Sequence, residues 1–195
     1  MIFGRKQNPD LEKFAEIFQT SIVGLFGERA PELKFSKPPV KAKMPIIEYN
    51  GKLRADGMEK FDNEPTYVSA INYYANTKDM EKKKALGTVV LYVQQNYISK
   101  LVRILQYPPV DDESDEAMQD SCGTLCNIIA GRFKSEISNA GYIELEMSHF
   151  VTYRNSAVSG VDFCYNEYDK YEIVFEIEGQ KRLVVELSIG VVPRK

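Results

Sequence analysis

The feature that most constrains the fold is a long stretch with helical periodicity, from about Ser114 to Ala140. Apolar and thiol side chains recur there every three or four residues, so they share one face of a helix with about 100° per residue. Because that face is apolar along its whole length, other parts of the chain must cover it. The residues on it are Met118, Cys122, Leu125, Cys126, Ile129, Phe133 and Ile137.

The opposite face of this predicted helix carries a narrow line of mostly short polar side chains and glycine, which we call the polar seam. Its members are Asp120, Thr124, Asn127, Gly131, Lys134 and Ser138. Glycine inside a helix costs about 1 kcal/mol relative to alanine, and Asn and Thr are also weak helix formers. The seam, together with neighbouring Gly123, therefore has a cause other than helix propensity. Two interpretations stay open: another protein docks closely on this face, or the face has no partner role, because an element of the same chain packs against it or because its surface is only loosely constrained.

Strand patterns surround this helix. Segments 66–75 and 86–93 are rich in β-branched and aromatic residues and predict an antiparallel hairpin. Further strands are predicted over 142–153, 171–178 and 182–192, and the turn at 178–181 joins the last two. Amphipathic spacing predicts two more helices, over 10–27 and 94–107.

Residues 28–65 contain five prolines and are predicted to be irregular, with one or two short edge strands and a turn at Asn50-Gly51. Neither a repeat nor a linker divides the chain. We therefore expect one α+β domain over residues 1–195, with a mostly antiparallel sheet and three main helices.

Charge and hydropathy exclude several classes of partner. The chain has 25 Lys and Arg against 28 Asp and Glu, a formal charge of −3, and no long basic block. Nucleic acid is therefore not an expected partner. No apolar run approaches the roughly 20 residues of a membrane-spanning helix, and the start of the chain does not resemble a signal peptide. We expect a soluble, cytoplasmic protein without a membrane partner.

The cysteines and acidic residues give little reason to expect a metal of the protein's own. Cys122 and Cys126 lie one helical turn apart, but a zinc site needs about four such ligands. We expect both thiols and His149 to pack in the core, although a Cys–His nucleophilic pair stays open as an alternative. The acidic run 111–116 is expected to begin the long helix, with Ser114 as its cap, rather than to bind a metal.

Part of the predicted long helix resembles a known protein family. The segment 123–137, "GTLCNIIAGRFKSEI", is similar to the signature helix of the CheX and CheC phosphatases of bacterial chemotaxis. Their motif is Glu-x-x-Asn followed by two apolar residues, a small residue and glycine. The segment from Asn127 to Gly131 matches it position by position, and the resemblance extends over about residues 67–192. It implies a CheC/CheX-like fold.

The resemblance also implies a function: removal of phosphate from the aspartyl phosphate of CheY-like response regulators. In that mechanism the amide of Asn127 enters the receiver's active site and orients a water molecule, while the receiver supplies Mg²⁺ and the acyl phosphate. Asn127 is thus the expected catalytic residue, and Asp120, Thr124, Gly131 and Lys134 are expected to contact the partner. No cofactor of the protein's own is expected. Family members pair through sheet edges, so a homodimer is a further expectation.

One position departs from the motif. Thr124 stands where the family has its glutamate, which pairs with a receiver lysine. A hydrogen bond to a charged group contributes roughly 1.5–3 kcal/mol, so its loss should weaken docking or catalysis about ten- to a hundredfold. Asp120 is the nearest carboxylate that could replace it. Two functions therefore stay open: a phosphatase with reduced activity, and a non-catalytic interaction module that binds a receiver or another signalling partner.

Overall fold

A computed structural model describes residues 7–33, 35–154 and 159–195. The helices are α1 (Leu11–Arg29), α2 (Thr77–Glu81), α3 (Ile98–Ile104) and α4 (Asp115–Asn139). The strands are β1 (Val40–Pro45), β2 (Glu48–Tyr49), β3 (Lys52–Ala55), β4 (Thr66–Tyr74), β5 (Gly87–Gln94), β6 (Glu146–Met147), β7 (Val151–Arg154), β8 (Ser159–Val161), β9 (Asp169–Ile177) and β10 (Gln180–Ile189). Short 3-10 turns occupy Met58–Lys60 and Gln95–Tyr97.

The main sheet has seven strands in the order β1-β9-β10-β5-β4-β6, and β7 also pairs with β4. Every pairing in it is antiparallel. The predicted hairpins 66–93 and 171–192 are both present. Glu178 and Gly179 turn the second hairpin with positive φ, as a tight two-residue turn between twisted strands requires. The predicted α+β architecture, with an antiparallel sheet and α1, α3 and α4 as its main helices, is confirmed.

Both faces of the central strands are covered, which explains why they are almost continuously apolar. Alternate residues of β4 and β5, such as Ile71 and Leu91, face the three main helices and form the larger core. The intervening residues, such as Val68 and Tyr92, face a second, three-stranded sheet of order β2-β3-β8. Strands of an antiparallel sheet with one exposed face normally alternate between apolar and polar residues. The continuous apolar pattern therefore indicates that a second layer covers the other face of the sheet.

Segment 28–65 is more regular than predicted. It contains three strands rather than one or two, with the expected turn at Asn50-Gly51, where both residues have positive φ. β1 forms an edge of the main sheet, while β2 and β3 help to build the second sheet. Pro45 is the last residue of β1, and Lys41 and Lys43 keep this edge of the sheet charged. The segment gains its structure from pairing with β9 and β8, which lie more than 100 residues away.

The predicted strand 142–153 is wrong in its continuity. It divides into β6 and β7, and residues 148–150 connect them. The connection stays attached to β4 because the backbone N–H of Ser148 donates to the Asn72 carbonyl at 2.9 Å, while the Asn72 N–H donates to the Ser148 hydroxyl at 3.0 Å. A side chain thus replaces one backbone partner of the ladder. His149 is exposed in this connection, so its predicted place in the core is also wrong.

Candidate functional site

The site is built on α4, whose start and end agree with the sequence prediction. Ser114 caps the helix by accepting a hydrogen bond from the backbone N–H of Ala117 at 3.2 Å. Asp115 fixes this end to the sheet, since it accepts hydrogen bonds from the hydroxyl of Tyr67 and the guanidinium of Arg154. The hydrogen bond from Tyr67, followed by one from Gln119, lowers the pKa of Asp115. The acidic start is therefore an anchored helix terminus.

The inner face of α4 packs as predicted. Phe133 contacts Phe18 of α1, with ring centroids 4.8 Å apart, and Tyr73 of β4 at 5.9 Å. The hydroxyl of Tyr73 donates to the carbonyl of Ala130 at 2.8 Å, so a buried polar group is satisfied within the contact. These contacts fix the rotation of the helix. Met118, Leu125, Ile129 and Phe133 are buried, as predicted.

The two helix cysteines are packed thiols. Cys122 and Cys126 are fully buried, and burial raises the pKa of both, to about 12 for Cys126. His149 is exposed whereas both thiols are fully buried, so these described residues do not form an accessible Cys–His pair. Among the described residues, no group of three or more His, Cys, Asp or Glu side chains could hold a metal ion. The complete burial of both thiols shows that they are core residues.

The polar seam faces outward, as its periodicity predicted. Asp120, Thr124 and Asn127 are exposed, and Gly131 is half-buried. At Gly131 a Cβ atom would meet no atom within 4 Å, so the space above this residue is open. Among the described residues, none hydrogen-bonds the side-chain amide of Asn127. An amide with both its donor and acceptor free can bind a water molecule or a partner group.

The C-terminal part of the seam is occupied by contacts within the chain. Lys134 forms an ion pair with Glu144, at 3.3 Å, and Ser138 accepts a hydrogen bond from Lys195 at 2.9 Å. Both side chains are half-buried. The freely accessible part of the seam therefore runs from Asp120 to Gly131. The sequence could not distinguish these two parts, because Glu144 and Lys195 reach α4 only through the tertiary fold.

Gly123 has a different role from Gly131. A Cβ atom at Gly123 would lie 2.2 Å from the ring of Phe150, which the β6–β7 connection holds against α4. The sequence predicted that another surface approaches the helix closely at its glycines, and at Gly123 this surface belongs to the same chain. The structure thus resolves the two sequence interpretations residue by residue: intramolecular packing explains Gly123, whereas the exposed stretch around Asn127 stays open to another molecule.

Comparison with solved structures identifies the class of fold. A CheC-like superfamily protein from Shewanella sp. PV-4 superposes with a TM-score of 0.55 at 16% identity, covering 93% of this chain and 98% of that one. CheX from Desulfovibrio desulfuricans gives 0.52 at 14%, covering 91% and 99%. The CheX–CheY–BeF3–Mg²⁺ complex from Borrelia burgdorferi gives 0.51 at 13%, covering 91% and 97%. The chain therefore has the CheC/CheX-like fold that its sequence implied.

The sequence itself matches a family model described as chemotaxis phosphatase CheX, over residues 82–161. This range contains the whole of α4 and confirms the resemblance seen in its signature segment. No curated protein sequence matches the chain significantly. Among the described residues, no helix is long and apolar enough to cross a membrane.

Proposed function

We propose that this protein docks on CheY-like response regulators through the polar seam and hydrolyses their aspartyl phosphate. The observation that carries the proposal is Asn127 itself: an exposed amide at the centre of a helix whose segment matches the CheX model. The Borrelia relative was crystallised in complex with CheY, BeF3 and Mg²⁺, which supports a receiver as the partner. The proposal places the protein in the cytoplasm, where response regulators act.

The mechanism follows from what an amide can do. Asn127 would accept one hydrogen bond from water and donate another to the receiver, which holds the water in line with the phosphorus. An amide is not a base at neutral pH, so its contribution is positioning, which is the main requirement of phosphoryl transfer. Mg²⁺ on the receiver would neutralise the phosphoryl charge. Gly131, one helical turn after Asn127, leaves room for the receiver's backbone to approach.

The decisive experiment compares two asparagines on α4. Asn127→Ala should reduce dephosphorylation of a phosphorylated CheY-like receiver to the receiver's own rate, while stability changes by about 0.5 kcal/mol or less because the site is exposed. Asn139→Ala, at the exposed C-terminal end of the same helix, is the matched control and should retain the wild-type rate. Substantial activity in Asn127→Ala, beside an active wild type, would contradict the mechanism.

Thr124 favours a second candidate function, a non-catalytic receiver-binding module. Its side chain is exposed and uncharged at the position where the motif has a carboxylate. The same assay separates the two functions, because a module binds the activated receiver without changing its rate of dephosphorylation. Phosphatase activity is our first choice because the amide and the open space at Gly131 are both retained.

A further inference from the structure

An apolar groove lies beside the polar seam, between α4 and the segment that leads from α3 to α4. Its volume is about 280 Å³. Tyr107, Pro108, Pro109 and Val110 line one side, and Leu125 of α4 contributes from the other. The paired prolines fix their own φ angles, so this wall is held in shape before any ligand arrives. A preformed apolar surface loses little conformational entropy on binding.

The groove is continuous with the accessible part of the seam. Asp120 and Thr124 belong to the seam and also line the groove. A molecule seated over Asn127 therefore lies next to the groove, since Thr124 is one helical turn away.

The charge at the groove's mouth indicates the chemistry of its ligand. Asp111 and Asp120 line the groove and are exposed. Among the described residues, neither carboxylate pairs with a lysine or arginine, although Asp111 accepts a hydrogen bond from the backbone N–H of Glu113 at 3.1 Å. Carboxylates unmatched by cations on their own protein attract a cationic partner surface and disfavour an acidic one. An apolar floor with an acidic mouth thus fits an apolar side chain next to a basic one.

We propose that this groove determines which receiver docks, by accepting an apolar side chain whose neighbour on the receiver surface is a lysine or arginine. The inference rests on the proposed function and deepens it. The seam supplies the catalytic amide, and the groove supplies selectivity. Receivers that carry an acidic or polar residue at the facing position bind weakly, because they leave the groove unfilled or place like charges together.

The test fills the groove without touching the seam. Ser121 lines the groove, and its hydroxyl bonds back to the carbonyl of Ala117 at 2.8 Å. Ser121→Phe should weaken binding of the BeF3-activated receiver at least tenfold. Asn139 is the control, because it is exposed at the C-terminal end of the same helix and lies outside the groove. Asn139→Phe should bind as the wild type does.

A second variant tests the charge and carries little risk to folding. Asp111→Lys lies on an exposed linker and should also weaken receiver binding about tenfold at low salt, with a smaller effect at high salt. If both variants bind the receiver as tightly as the wild type does, the groove proposal is overturned and the proposed function is unaffected. A wild type that binds no receiver from a panel of CheY-like domains overturns both. A wild-type dimer that Ser121→Phe dissociates shows that a second copy occupies the groove, and this also overturns the proposal.

Discussion

Gly123 and Gly131 allow a test in which one substitution should have opposite effects at two positions of the same helix. Both residues are interior to α4, so Gly→Ala should stabilise each by the intrinsic helix preference of about 1 kcal/mol. The surroundings differ. A Cβ at Gly131 meets open space, whereas a Cβ at Gly123 would lie 2.2 Å from the ring of Phe150.

The packing cost at Gly123 can be approximated from the displaced ring. Real Cβ atoms do not approach other atoms so closely, so Phe150 must leave its position or strain the β6–β7 connection. Overpacking of this kind costs about 1–3 kcal/mol, and a half-buried phenyl ring loses about 1 kcal/mol or more on exposure. Gly131→Ala should therefore stabilise the protein by about 1 kcal/mol. The Gly123→Ala variant should be less stable than the Gly131→Ala variant by about 1–3 kcal/mol. The gain in helix propensity is the same in both variants, and only Gly123→Ala has the packing cost.

Urea unfolding followed by circular dichroism measures this difference, and thermal midpoints should differ by about 2–4 °C per kcal/mol for a chain of this size. Phe150→Ala provides the control. In that background the ring is absent, so Gly123→Ala should become stabilising by about 1 kcal/mol. Equal effects of Gly→Ala at both positions in the wild-type background would refute the assignment of Phe150 to the surface of Gly123.

Three further predictions concern charges. Thr124→Glu restores a carboxylate on the seam and should raise receiver dephosphorylation by roughly ten- to a hundredfold, less at high salt; an unchanged rate for a receiver that binds would favour the interaction module. Tyr67→Phe removes the main hydrogen bond that lowers the pKa of Asp115. That contact stabilises the fold above the unfolded pKa of about 3.9 and is lost as the pH falls through the lower folded value, so urea midpoints of variant and wild type should differ at pH 7, and the difference should shrink as the pH falls below about 4. Glu186→Gln should destabilise by about 3 kcal/mol in urea unfolding, because the fully buried carboxylate holds Lys60 at 2.6 Å and Lys170 at 2.7 Å, and a wild-type midpoint would contradict this. Burial raises the pKa of Glu186, but the lysines outweigh it and keep that pKa below its usual value.

The elements that follow from local periodicity were predictable. α4 begins and ends within a residue of its predicted limits, because Ser114 caps it and its apolar face has an uninterrupted helical spacing. The hairpins were also predictable, since β-branched runs and short turns act over neighbouring residues. The same periodicity placed Asn127 on the outer face, and the match of its segment to the CheX model follows from the order of residues alone.

Other features depend on contacts between distant parts of the chain, which one sequence does not encode in a local pattern. Segment 28–65 forms strands only because β8 and β9 pair with it. Lys134 and Ser138 look like free members of the seam until Glu144 and Lys195 reach them. Gly123 and Gly131 look equivalent until Phe150 packs on one of them. The sequence by itself determined the helix and its outer face, because these follow from backbone periodicity, and its resemblance to the CheX motif implied Asn127 as the catalytic candidate. Only the tertiary structure decided which part of that face is accessible and that an apolar groove with an acidic mouth adjoins it, because long-range packing fixes what lies next to each side chain.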